Sequence, residues 1–77
     1  MFQRSAGSQY KLLAQTLIRR IRDGEYPPGS MLPTENELGQ QFNVSRITVR
    51  GALRELEVQG LVSRRPGIGT RVESAQP

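Results

Sequence analysis

The chain has 77 residues, 35% of them hydrophobic, with no cysteine, no histidine and a formal net charge of +4. That length holds one small domain, which buries only about 60% of the surface its unfolded chain exposes, and without cysteine no disulfide or thiolate metal site can support it. The absence of histidine removes the commonest metal ligand and general base. With one lysine and no converging carboxylates the chain does not read as an enzyme, and no metal or cofactor is expected.

Arginine supplies ten of the eleven basic residues, a side chain suited to bidentate recognition of phosphate and guanine. The excess leans to the second half, where residues 41–77 carry six basic and three acidic side chains. No apolar run approaches membrane-spanning length, and the N-terminus lacks the apolar core of a signal peptide. A soluble, cytoplasmic protein with no membrane partner is expected.

In chain order, residues 1–8 are polar and without period, which predicts a flexible arm. Tyr10, Leu13, Ala14, Leu17 and Ile21 recur at helical spacing and predict a first helix from about Gln9 to Asp23, stopped by Gly24. Arg19, Arg20 and Arg22 fall mostly off its apolar face and read as a solvated flank; Leu12 and Ile18 fit the stripe poorly. Tyr26–Pro27–Pro28–Gly29 cannot continue a helix. Ser30–Leu32 reads as a short extended piece able to pair with a later strand, and Pro33 keeps Leu32 extended.

Thr34 and Glu37 have the spacing of a capping box, opening a short helix to about Phe42 with Leu38 and Phe42 on one face. Glu35 and Glu37, two apart, do not face each other, which argues against a paired acid/base site. Asn43 tolerates a left-handed turn, and Ser45 can cap the next helix at once. There Val49, Ala52, Leu53 and Leu56 form one apolar stripe, with Arg46, Arg50 and Arg54 in a row beside it, leaning away, and Gly60 just past the end. Arg46 stands at the positive end of the helix dipole, a cost of roughly 0.3–1 kcal/mol that a docked phosphate would relieve.

Two short capped helices joined by a tight turn make a helix-turn-helix, whose second helix enters the major groove. Leu61–Arg65, the turn Pro66–Gly69 and Thr70–Glu73 then predict a basic hairpin carrying Arg64, Arg65 and Arg71. Gly67 and Gly69 would let its backbone approach a phosphate or the minor groove. The expected fold is α+β: a winged helix-turn-helix over residues 9–73, three helices with a small antiparallel β-hairpin wing. Residues 74–77 read as the start of a linker.

Tyr26-Pro27-Pro28-Gly29-x-x-Leu32-Pro33-x-Glu35-x-Glu37-Leu38, then Val44-Ser45-Arg46-x-Thr48-Val49-Arg50-x-Ala52-Leu53, then Gly60-Leu61 and Gly67-x-Gly69-Thr70, resembles the DNA-binding domain of the GntR family of bacterial transcriptional regulators. The stretch from Pro33 to Leu38 is most similar to the HutC subfamily. The resemblance implies a domain that binds double-stranded, palindromic operator DNA as a dimer, in a regulator expected to repress. It implies operator contacts by Arg46 and Arg50, assisted by Ser45 and Thr48, with Gly67 at the wing tip near the minor groove. Asn36, at the start of the preceding helix, takes a position that is often arginine in relatives. Gly51 replaces the usual larger polar residue and is read as a missing base contact in preference to a close approach to DNA. A small-molecule effector would act only through a separate C-terminal domain, which 77 residues cannot also hold.

The residues expected to meet DNA are therefore Asn36, Ser45, Arg46, Ile47, Thr48, Arg50, Arg54, Arg64, Arg65, Gly67 and Gly69. Ile47 faces away from the apolar stripe, where it can touch a thymine methyl while one arginine reads guanine. Arg54, a further turn back, is expected to meet phosphate or to pair with Glu57. With the apolar residues nearly all used by the stripes and hairpin, the isolated chain is expected to be monomeric and to pair on DNA. The alternative is a winged helix that binds nucleic acid without specificity, or binds protein.

Overall fold

Leu13, Ala14, Leu17 and Ile21 of the first helix share one core with Val49, Ala52, Leu53 and Leu56 of the third. In the computed structural model, which describes residues 6–74, the elements are α1 (Ala6–Arg22), α2 (Glu35–Phe42), α3 (Arg46–Val58), β1 (Val62–Arg65) and β2 (Gly69–Val72). α1 begins three residues before the start its periodicity predicts. The beginning of the expected arm and most of the expected linker lie outside the described residues.

Both caps of the helix-turn-helix form as the sequence predicts. Thr34 Oγ1 accepts from the Glu37 amide at 3.1 Å, and Glu37 Oε1 accepts from the Thr34 amide at 2.8 Å. Two of the four amides that a helix start leaves unpaired are so accounted for. Asn43 closes α2 in the left-handed conformation at φ 55°, and Ser45 caps α3. Gly39 lets the turn fold tightly, since a Cβ there would stand 3.2 Å from the Val44 carbonyl oxygen. Leu38 seats α2 on the core, and the Arg20 guanidinium lies 5.0 Å from the centre of the Phe42 ring, a cation–π contact tying α1 to α2. Arg20 is thus half-buried, not a solvated flank. Ile18 packs against the core from its edge, while Leu12 stays exposed.

β1 and β2 pair antiparallel, from Val62 opposite Val72 to Arg65 opposite Gly69. The other edge of β2 is taken by the segment before α2. Val72 donates to the Ser30 carbonyl at 2.8 Å, and Leu32 donates to the Thr70 carbonyl at 2.9 Å. This is the pairing expected for Ser30–Leu32. It ties the wing to the start of the helix-turn-helix, and Leu32, Leu61, Val62 and Val72 bury its inner face.

Candidate nucleic-acid interface

The stripe that buries α3 decides what the helix can offer outward. Val49, Ala52, Leu53 and Leu56 are fully buried, so Arg46, Ile47, Arg50 and Arg54 stand on the open face. Ile47 is 75% exposed on that face. The arginine row from Arg46 to Arg54 spans eight residue steps, about 12 Å of helix at 1.5 Å per residue, close to the width of a major groove. Among the described residues neither Arg46 nor Arg54 has an ion-pair partner, so the expected alternative of an Arg54–Glu57 pair is not formed. Asn36, exposed on the first turn of α2, lines one shallow depression with Gln40, Asn43 and Arg46.

Two residues of the recognition sequence turn inward. Thr48 is 1% exposed. Its hydroxyl accepts from Ser45 Oγ at 3.0 Å and donates to Gln9 Oε1 at 3.3 Å, while its amide donates to Ser45 Oγ at 3.2 Å. The side chain of Thr48, expected to assist at DNA, joins the start of α3 to α1. The hydroxyl of Ser45 is engaged in the same network, although the residue itself is exposed. Gly51 is the second such position. A Cβ at that position would lie 3.1 Å from Tyr10 Cγ and 3.2 Å from Tyr10 Cβ. Gly51 is half-buried, its Cβ direction faces α1, and its small size admits the tyrosine. The missing larger side chain is explained by packing between helices.

The wing brings Arg64 to the start of α2, while Arg65, next along the strand, turns to the opposite face. Arg64 Nη2 donates to Glu35 Oε2 at 2.7 Å, and Arg50 Nε donates to Glu35 Oε1 at 3.3 Å. Glu35 thus holds one arginine from the recognition helix and one from the wing. Local sequence carries no signal for this, because the partners lie 15 and 29 residues away. Arg65 pairs with Glu73 at 3.3 Å, and Ser63 Oγ donates to the same carboxylate oxygen at 2.5 Å. The Ser63 hydrogen bond, assisted by Arg65 and the charge of Arg71, holds the Glu73 carboxyl below the usual carboxylate range, although partial loss of water opposes it. Gly67 has φ +76° and Gly69 φ +131°, which side chains rarely adopt, so the turn itself requires both glycines. A Cβ at Gly67 would meet open space, which keeps the wing tip bare, whereas one at Gly69 would reach Met31 Cε at 3.0 Å.

Three helices, a capped tight turn between the second and third, and a hairpin at the end define a winged helix-turn-helix. Residues 9–72 match the family described as "Bacterial regulatory proteins, gntR family", and the chain belongs to that family. Over 61 residues it is 56% identical to the uncharacterized HTH-type transcriptional regulator YieP of Escherichia coli (strain K12), covering 79% of this chain and 26% of that protein. It is 41% identical over 63 residues to the histidine utilization repressor of Pseudomonas putida, covering 82% of this chain and 25% of that protein. The chain therefore spans about a quarter of the length of these curated relatives. A solved structure described as AraR(DBD) in complex with operator ORR3 superposes with a TM-score of 0.81 at 42% identity, covering 83% of this chain and 77% of that one. The likeness to the histidine utilization repressor agrees with the HutC resemblance. No helix among the described residues is long and apolar enough to cross a membrane.

Proposed function

We propose that this chain is the operator-reading domain of a GntR-family transcriptional repressor. One observation carries the reading: the face of α3 opposite its buried stripe presents Arg46, Ile47, Arg50 and Arg54 together, beside Asn36 of α2. α3 enters the major groove by its N-terminal end, where Arg46 and Arg50 reach base edges and Ile47 meets a thymine methyl. Arg54 meets phosphate. The bare wing tip at Gly67 approaches the minor groove, with Arg65 and Gly69 beside it. The operator complex of the AraR domain and the repressor names among the relatives support this assignment. Two copies pair on a palindromic duplex, because few apolar side chains remain outside the core to hold a dimer in free solution. Effector binding belongs, in this proposal, to a separate domain of a longer regulator.

The test is selection of binding sites from a random duplex pool, followed by Arg46→Ala, Arg50→Ala and Arg54→Ala against single-base variants of the selected site at fixed salt. An arginine that reads guanine should cost about 1–3 kcal/mol and lose preference at one base pair, whereas Arg54→Ala should weaken all sequences alike. Uniform loss for all three would refute direct reading by α3 and favour a domain that binds nucleic acid without specificity.

A further inference from the structure

We propose that Glu35 is a positioning residue that couples the wing to the recognition helix, and that Arg64 acts through it instead of anchoring to phosphate. The inference rests on the operator-reading function proposed above. Glu35 occupies the first turn of α2, where a carboxylate also favours the helix dipole. Its two oxygens point elsewhere, however: Oε1 accepts from Arg50 Nε at 3.3 Å and Oε2 from Arg64 Nη2 at 2.7 Å. The carboxylate side chain is 25% exposed, while Arg50 remains 59% exposed. The contact takes Arg50 by its inner nitrogen, and Arg50 makes no other hydrogen bond among the described residues. Its outer Nη edge is left to meet a base as two parallel donors.

A long arginine side chain loses considerable rotamer freedom when it binds one base in one geometry. Holding it before encounter lowers that cost for the matching base pair. The same carboxylate repels phosphate whatever the sequence, so it lowers affinity for every duplex. Glu35 therefore trades general affinity for discrimination. Arg64 holds the second oxygen, and its strand is tied through β2 to the chain leading into α2. The wing thereby sets the position of a base-reading side chain it does not itself contain.

The experiment compares Glu35→Gln, Arg64→Gln and Glu37→Ala with the parent on the selected operator, its single-base variants and a scrambled duplex, with a melting curve for each. Glu35→Gln is expected to bind the scrambled duplex about threefold or more tighter at 0.1 M salt, with a steeper salt dependence. It should lose about fivefold or more of the preference at the base pair that Arg50→Ala identifies, and lose nothing further in an Arg50→Ala background. Arg64→Gln should lower preference at that same base pair, which keeps the test open should Glu35→Gln fold poorly. Glu37→Ala removes the acceptor for the Thr34 amide at the start of the same helix, so it should lower the melting temperature and leave base preference intact. Unchanged preference in folded Glu35→Gln, or a uniform fall for Arg64→Gln, overturns the coupling while the operator-reading function stands. A parent without preference for any duplex overturns both.

Discussion

Replacing Gly51 by alanine separates packing from DNA contact at the one glycine inside α3. Alanine in a helix interior is favoured over glycine by about 1 kcal/mol. The new methyl, however, would sit 3.1 Å from Tyr10 Cγ, 3.2 Å from its Cβ and 3.5 Å from its Cδ1. The Cβ is fixed by the backbone of α1, so a rotamer change cannot clear it and the start of α1 must shift. Overpacking of this kind costs about 1–3 kcal/mol. The net expectation is a loss of about 1 kcal/mol, which in a domain of this size lowers the melting temperature by roughly 4–8 °C. The assay is urea or thermal unfolding of Gly51→Ala, Tyr10→Ala and the double variant, with DNA affinity measured where all are folded. Tyr10→Ala removes two of the three close atoms, so in that background alanine at 51 should become neutral or stabilising by about 1 kcal/mol. A Gly51→Ala protein more stable than the parent by the full propensity gain would refute the packing argument and return the residue to the DNA face.

Two further predictions address residues whose setting the fold has changed. Thr48→Val keeps the shape but loses the hydroxyl bonds to Ser45 and Gln9; it should cost about 1 kcal/mol of stability and leave DNA affinity of the folded protein unaltered, so that a tenfold loss of affinity at unchanged melting temperature would show that Thr48 does act on DNA. The Glu73 carboxyl is held below the usual range, so its contribution to the wing should be complete above about pH 4.3, the unperturbed glutamate value, and disappear as the pH falls through the lower folded value. A side-chain carboxyl titration followed by NMR should place its midpoint below that of an exposed glutamate, and Ser63→Ala should move it upward; a midpoint indifferent to Ser63 would contradict the assignment of cause.

Local and periodic features were readable from the sequence alone. The capping box at Thr34 and Glu37, the left-handed Asn43, the Ser45 cap and the stripe from Val49 to Leu56 each depend on residues a few positions apart. Physical rules for caps and helical faces act over that same range, so the helix-turn-helix and the outward row of Arg46, Arg50 and Arg54 followed from spacing. The glycines and alternation of the hairpin indicated the wing for the same reason. What only the tertiary structure decided lies where distant segments meet. Thr48 has a helical position at the margin of the stripe, and only the approach of Gln9 from α1 makes it a buried structural residue. Gly51 looks like a vacancy on a DNA-reading helix until Tyr10 is seen against it. Glu35 reads as an ordinary acid at a helix start; its bridge between Arg50 and Arg64 exists because the wing folds back beside α2. A pairing between residues 15 or 29 positions apart depends on how elements dock, and docking is settled by the whole buried core, which no local window of sequence contains.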